Sequence, residues 1–166
     1  MNDLILLANL LDSPKHGYAL KKQVGLISGS NELHNNLVYP LLRRFVDHGW
    51  VRKRRAPGQR GQTREIYALT NKGKQELVQR LSQFSGKEIA SENAFRLRVG
   101  LFSVLDKETC TRILTARDQW LMMRQQHLAR LSGALDLGSW GGAVVRFLRQ
   151  QVVSERRWIS RLKRKL

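Results

Sequence analysis

Acidic residues are scarce in this chain. Asp and Glu number 13 against 30 Lys and Arg, a formal charge of +17 over 166 residues. So one-sided a balance points to a polyanionic partner, which on charge alone is DNA, RNA or an anionic membrane surface. Cysteine is nearly absent. The lone Cys110 rules out an internal disulfide, fits a reducing, cytoplasmic setting, and reads as a small buried helix residue. No apolar run approaches the roughly 18 residues of a membrane-crossing helix. The leucine-rich opening has an acid at Asp3, no basic flank and polar Asn9 inside it, so it is expected to be a first buried helix over residues 3–11 and not a signal peptide. The histidines His16, His34, His48 and His127 stand apart, without an acid or Cys at ligand spacing. No phosphate-binding loop with its Lys follows a strand. No catalytic centre, metal site or cofactor is therefore expected. Apolar residues make up 42% of the chain, enough for one domain or two small ones with a real core.

The most informative stretch is Asn35–Trp50. Val38, Leu41, Leu42, Phe45 and Val46 recur at helical spacing and make one apolar stripe. Asn36, Tyr39, Arg43 and Asp47 fall on the other side. Asn35 or Asn36 is expected as N-cap and Gly49 as the left-handed stop. Pro40 is best accommodated if the helix begins at about Leu37. Trp50–Ala56 then reads as a basic strand, 57–63 as an open loop, and Arg64–Leu69 as the returning strand. Upstream, Asp12-Ser13-Pro14 is a turn, His16–Ile27 a helix and Ser28-Gly29-Ser30 a loop. Two helices joined by a short polar loop, the second with Asn and Arg on its free face, make a helix-turn-helix, and the basic hairpin makes its wing.

Thr70 is expected to cap a helix from Asn71 to about Phe84, and Ser85-Gly86-Lys87 to be a hinge. This divides the chain into residues 1–84, a DNA-binding domain, and 85–166, an all-helical region. In that region Phe95–Leu105 reads as one apolar helix, a second runs from Asp106 to about Leu131, 133–142 is a loop, and the last helix spans Ala143–Leu162. Val145, Leu148, Val152, Ile159 and Leu162, with Glu155 completing the series, form a heptad seam expected at a subunit interface. The fold class is thus mainly α with a small β-hairpin wing, a winged helix-turn-helix domain plus an all-helical C-terminal dimerisation region.

Four pieces of sequence resemble the PadR family of bacterial transcriptional regulators. They are His16-Gly17-Tyr18, Tyr39-Pro40-Leu41-Leu42-Arg43-Arg44, His48-Gly49-Trp50-Val51, and the run Arg64–Gly73, together spanning about residues 4–80. The resemblance implies a winged helix-turn-helix that binds operator DNA as a homodimer, usually as a repressor. It also implies a helical region that makes the dimer and, in some members, release by a small hydrophobic or phenolic ligand. The family commonly places Ser, Gly and Thr just before its Leu-Tyr-Pro, where this chain has Asn35-Asn36-Leu37-Val38-Tyr39-Pro40.

The residues expected at double-stranded DNA are Asn35, Asn36, Tyr39, Arg43 and Arg44 from the DNA-reading helix, with Arg54, Arg55, Arg60 and Arg64 from the wing and Lys21 and Lys22 from the preceding helix. Arg suits guanine edges and Asn adenine edges in the major groove, while the remaining cations suit phosphates or the minor groove. Trp120, Trp140 and Trp158 are candidate walls for a flat, small hydrophobic or aromatic effector. Two other functions carry the same sequence features. An architectural or RNA-binding protein would use the charge without reading bases, and a winged-helix protein-interaction adaptor would keep the fold without binding DNA.

Overall fold

A computed structural model describes residues 2–20, 35–57, 63–134 and 138–166. They fall into two compact units, Met1–Gln83 and Phe84–Leu166.

In the first unit, α1 (Asn2–Ala8) buries Leu4, Ile5, Leu6 and Leu7, so it is apolar on most sides because it is covered on most sides. A two-residue strand, β1 (Lys15–His16), follows, and residues 17–20 are helical. The expected helix starting at His16 is corrected here. His16 pairs as a strand residue opposite Ile66, and its ring nitrogen Nδ1 accepts the N–H of Ala19 at 3.1 Å, which caps the helical turn from outside. The rest of that expected helix and the 28–30 loop lie outside the described residues.

The central helix, α2, is Asn35–Asp47, with Pro40 inside it. Asn35 and Asn36 are helical residues, so neither is the N-cap, and the start is two residues earlier than Pro40 suggests. Proline at this depth forfeits only one hydrogen bond near the helix start, and the burial of Val38, Leu42 and Phe45 outweighs it. Its end is a Schellman turn. The Trp50 N–H donates to the Phe45 carbonyl at 2.9 Å and the Gly49 N–H to the Val46 carbonyl at 2.9 Å. Gly49 has φ of +70°, as the motif requires, and the rings of Phe45 and Trp50 meet 5.6 Å apart across it.

The wing is β2 (Val51–Pro57) paired antiparallel with β3 (Thr63–Leu69), and β1 joins the other edge of β3 to make the order β1-β3-β2. Helix α3 (Asn71–Ser82) begins at Thr70, whose hydroxyl accepts the Gly73 N–H at 3.0 Å and lies 2.7 Å from the Gly49 carbonyl. It buries Leu77 and Leu81, as the spacing predicts, but stops before Phe84. Arg80 of α3 holds Asp3 of α1 at 2.9 Å, pairs with Glu76, and stacks over Trp50 at 4.7 Å, so one guanidinium joins α1, α3 and the wing root.

The second unit departs more from expectation. Ser85-Gly86-Lys87, expected as a hinge, follows directly on the division between the two units and also starts a helix. Ser85 and Glu88 form a capping box that opens a short helix, α4 (Gly86–Ala90). The expected single helix over Phe95–Leu105 is instead α5 (Glu92–Gly100), capped by Ser91, followed by a 3-10 turn at Phe102–Val104. The long helix α6 is Lys107–Ala134, opened by Asp106, whose carboxylate accepts the Thr109 N–H at 2.7 Å and its hydroxyl at 3.0 Å. The last helix, α7, is Gly138–Lys163. The glycines that suggested a loop over 133–142 are therefore helical: Gly133 lies near the end of α6 and Gly138, Gly141 and Gly142 in the start of α7. The two run antiparallel, tied by Arg117 to Glu155 and by Arg156 to Asp118, each at 2.8 Å.

The heptad seam is also corrected. Val145, Val152 and Ile159 are buried inside this unit with Phe95, Ile113, Leu114, Leu121 and Leu128, and Leu148 and Leu162 pack against the same cluster. A seam of this spacing needs a facing helix, and α6 of the same chain supplies it.

Candidate nucleic-acid interface

Helical phase separates the side chains of α2. Val38, Leu42 and Phe45 point into the core; Tyr39, Arg43 and Asp47 point away from it and are exposed. Arg43 points away from the buried stripe and has no carboxylate within pairing distance among the described residues. Arg44 differs. It is turned about as far from the stripe on the other side of the helix, where it lies 3.6 Å from Asp3, so part of its charge is committed to α1. Tyr39 is 44% exposed, and one edge of its ring packs on the backbone of Gly17, where a β-carbon would come within 2.8 Å of Cε1. The glycine in His16-Gly17-Tyr18 thus makes room for the tyrosine in Tyr39-Pro40. With Tyr18, Arg64 and Tyr67 these residues line a hollow of about 330 Å³ between the start of the 17–20 turn, α2 and the wing.

The wing cations divide by pleat. Arg52 lies opposite Ala68, Arg54 opposite Ile66, and Ala56 opposite Arg64, so Arg52, Arg54 and Arg64 share one face. Lys53 and Arg55 share the other face with Tyr67 and Glu65. There Lys53 pairs with Glu65 at 2.5 Å, and the Tyr67 hydroxyl donates to Glu65 at 2.9 Å. These two hydrogen bonds hold the Glu65 carboxyl below its usual range, while burial and the Glu65 bond push the Tyr67 hydroxyl far up, so it stays a donor. The structure therefore places Arg54 and Arg64 together and sets Arg55 apart. Arg52, not among the expected contacts, joins the first group; strand alternation within Arg52–Arg55 was the signal for it. The side chains of Asn35 and Asn36, and Lys21, Lys22 and Arg60, lie outside the described residues.

In the second unit, Trp120 and Trp158 line one cleft of about 1040 Å³ between α5, α6 and α7. Arg124 stacks on Trp120 at 5.6 Å, and Arg96 and Arg161 also border the cleft. Arg117, 4.6 Å from the Trp120 ring centre, is buried and its charge is spent on Glu155 and the carbonyls of Ile89 and Ala90, the open C-terminal end of α4. Trp140 is not part of the cleft; it stands 86% exposed at the start of α7. Cys110 is buried, and burial pushes its thiol up, away from the thiolate. Among the described residues there is no group of His, Cys, Asp or Glu suited to a metal, and no helix long and apolar enough to cross a membrane.

An amphipathic helix stopped by a Schellman glycine and run directly into a basic hairpin is the layout of a winged helix. Residues 6–79 match the model of the transcriptional regulator PadR-like family. No curated protein matches the chain. Among solved structures, PadR of Bacillus subtilis in complex with operator DNA is 19% identical, with 98% of this chain and 97% of that one covered and a TM-score of 0.48. The same protein in complex with p-coumaric acid is 18% identical over 98% and 96%, with a TM-score of 0.43. A PadR family transcription regulator from Clostridium difficile is 28% identical over 46% of this chain and 78% of its own, with a TM-score of 0.41.

Proposed function

We propose that this chain is a sequence-specific, DNA-binding transcriptional regulator that represses as a homodimer. The observation that carries the reading is the free face of α2, where Arg43 is exposed, turned away from the buried stripe and without an acidic partner among the described residues, next to a wing whose Arg52, Arg54 and Arg64 share one face. Arg43 has the length and fork to read guanine in the major groove, with Tyr39 beside it; the wing and Arg44 hold phosphates or reach the minor groove. Repression is steric, by a dimer occupying two half-sites about one helical turn apart.

A dimer through the second unit is supported by apolar surface that the chain does not cover. Trp140, Val144 and Phe147 follow one another on one side of α7, and Met122 and Met123 are exposed on α6. The effector reading is supported by the Trp120–Trp158 cleft, whose aromatic walls suit a flat ligand and whose arginine border suits an acidic group on it. Trp140, outside the cleft, takes no part in that site.

Selection of duplexes from a random pool by the purified protein tests the reading. The expected product is a pseudo-palindrome with half-site centres about 10 base pairs apart. A pool that stays unenriched after repeated rounds rules out base reading and moves the architectural function ahead.

A further inference from the structure

The excess charge does not reside mainly in the winged helix. Residues 1–83 hold 14 Lys and Arg against six Asp and Glu; residues 84–166 hold 16 against seven. We propose that the outer face of α7 is a second surface for double-stranded DNA, built to hold phosphates without reading bases.

Arg146, Arg149, Arg157 and Arg161 are all exposed and lie within an arc of about 120° at the 100° advance per residue of a helix, with Arg161 at the edge of the arc that also borders the Trp120–Trp158 cleft. Val145, Val152 and Ile159 occupy the buried side of the same helix. The row runs for roughly 22 Å at 1.5 Å per residue, and duplex DNA presents a phosphate charge every ~1.7 Å of axis. The one acid between Gly138 and Lys163 is Glu155, which points inward to Arg117. Asp118, the nearest acid on α6, is taken by Arg156 and Lys163. Among the described residues the four arginines of the row therefore have no carboxylate within pairing distance, and Arg146 repels Arg149 as Arg157 repels Arg161. An external anion relieves that repulsion.

The chemistry of the row selects the partner. A helix that lies on a membrane turns an apolar face to the lipid along its length, and here Val145, Val152 and Ile159 are buried in the unit while the exposed Trp140, Val144 and Phe147 are confined to the first part of the helix. Single-stranded nucleic acid is held by aromatic platforms interleaved with cations, and no aromatic residue stands on this arc. A straight row of guanidiniums matches the regular backbone of a duplex. The face is also distinct from Trp140, Val144 and Phe147, so DNA and a second copy of the chain do not compete for it.

The inference rests on the DNA-binding reading, and salt-titrated binding keeps the two apart. Full-length protein, a variant with Arg146, Arg149, Arg157 and Arg161 all changed to Gln, and the matching all-Lys variant are compared on one long selected duplex and on its shuffled control. Each phosphate neutralised contributes ~0.9 to the slope of log K against log salt, so the slope is expected to fall by about 3–4 in the Gln variant. Affinity falls equally on both duplexes, at least tenfold, and the selected-to-shuffled ratio is kept; the Lys variant stays near the parent. If the parent shows no preference between the duplexes but the Gln variant still loses slope, base reading fails and the second surface stands. An unchanged slope and affinity in a Gln variant with unchanged thermal melting overturns the proposal. So does a loss confined to single-stranded RNA or to anionic vesicles of phosphatidylserine and phosphatidylcholine, with duplex binding intact.

Discussion

The carbonyl oxygen of Trp50 lies 2.1 Å from the point where a side chain on residue 73 would begin. Thr70 donates its own N–H to the same carbonyl at 3.0 Å, so the chain turns from β3 into α3 around one backbone oxygen at the root of the wing. In an open helix, replacing Gly by Ala stabilises by up to about 1 kcal/mol. Here the obstacle is backbone, which cannot swing away as the tip of a long side chain does. Gly73→Ala is expected to reverse the usual sign and lower stability by about 1–3 kcal/mol. Urea denaturation measures it, and a midpoint equal to or above that of the parent contradicts the packing described.

Arg117 is buried while meeting a carboxylate, two carbonyls and two aromatic faces. Removing one member of a buried ion pair costs about 3–5 kcal/mol, because the other charge is left unpaired. Arg117→Met is therefore expected to destabilise the helical unit by that amount, and adding Glu155→Leu to recover part of it. Thermal melting of the two single variants and the double variant measures the coupling; additive losses contradict it.

Arg43 and Arg44 are neighbours with different duties. Arg43→Ala is expected to reduce discrimination between the selected duplex and a variant altered at one base pair by about 1–3 kcal/mol, the value of a good bidentate base contact. Arg44→Ala is expected to weaken binding to both duplexes alike, since its guanidinium is held beside Asp3. Competition binding with the two duplexes separates these outcomes. Equal loss of discrimination from both variants contradicts this division of duties.

Asp106 caps α6 as a carboxylate. Hydrogen bonds from the Thr109 backbone and hydroxyl hold its carboxyl below the usual range. A depressed folded-state pKa contributes stability that is present in full above the unfolded value near 4, and is lost as pH falls through the lower folded value. Asp106→Asn keeps a cap but does not titrate. The difference in Tm between parent and variant is therefore expected to be largest near neutral pH and to shrink on acidification below about pH 4. A difference that does not change with pH contradicts the role of the charge.

The winged helix was legible because its signals are local. Stripe spacing places Val38, Leu42 and Phe45; Gly49 ends the helix; Thr70 begins the next; alternation gives both wing strands. What escaped is set by distant partners. The strand at Lys15–His16 is too short for any periodicity and exists because β3 offers it an edge. The start of α2 follows from tertiary burial overriding the cost of Pro40. In the second unit, glycine content argued for a loop where two long helices meet, since propensity is a weak signal beside packing. The heptad seam was read correctly as a seam but its partner was not. Arg117 sits on the same stripe as Ile113, Leu114 and Leu121, opposite the place of Glu155 in the seam. That complementary pair on two helices of one chain was the sequence signal for packing within the chain. In the candidate site, nothing in the sequence separates Arg43 from Arg44; the difference comes from Asp3, about 40 positions upstream, which the fold brings beside the second.

Fluorescence anisotropy of the purified protein on DNA from upstream of its own gene and on a shuffled duplex, from about 50 to 200 mM salt, bears most directly on the function proposed. Contacts to roughly 6–10 phosphates lose about 10³–10⁵ in affinity over that range on any duplex. Base reading by α2 predicts that the upstream duplex keeps a clear advantage at the highest salt, and that Arg43→Ala removes it. Two superimposed curves, with parent and variant alike, contradict sequence-specific regulation at that site and leave a protein that holds DNA by charge alone.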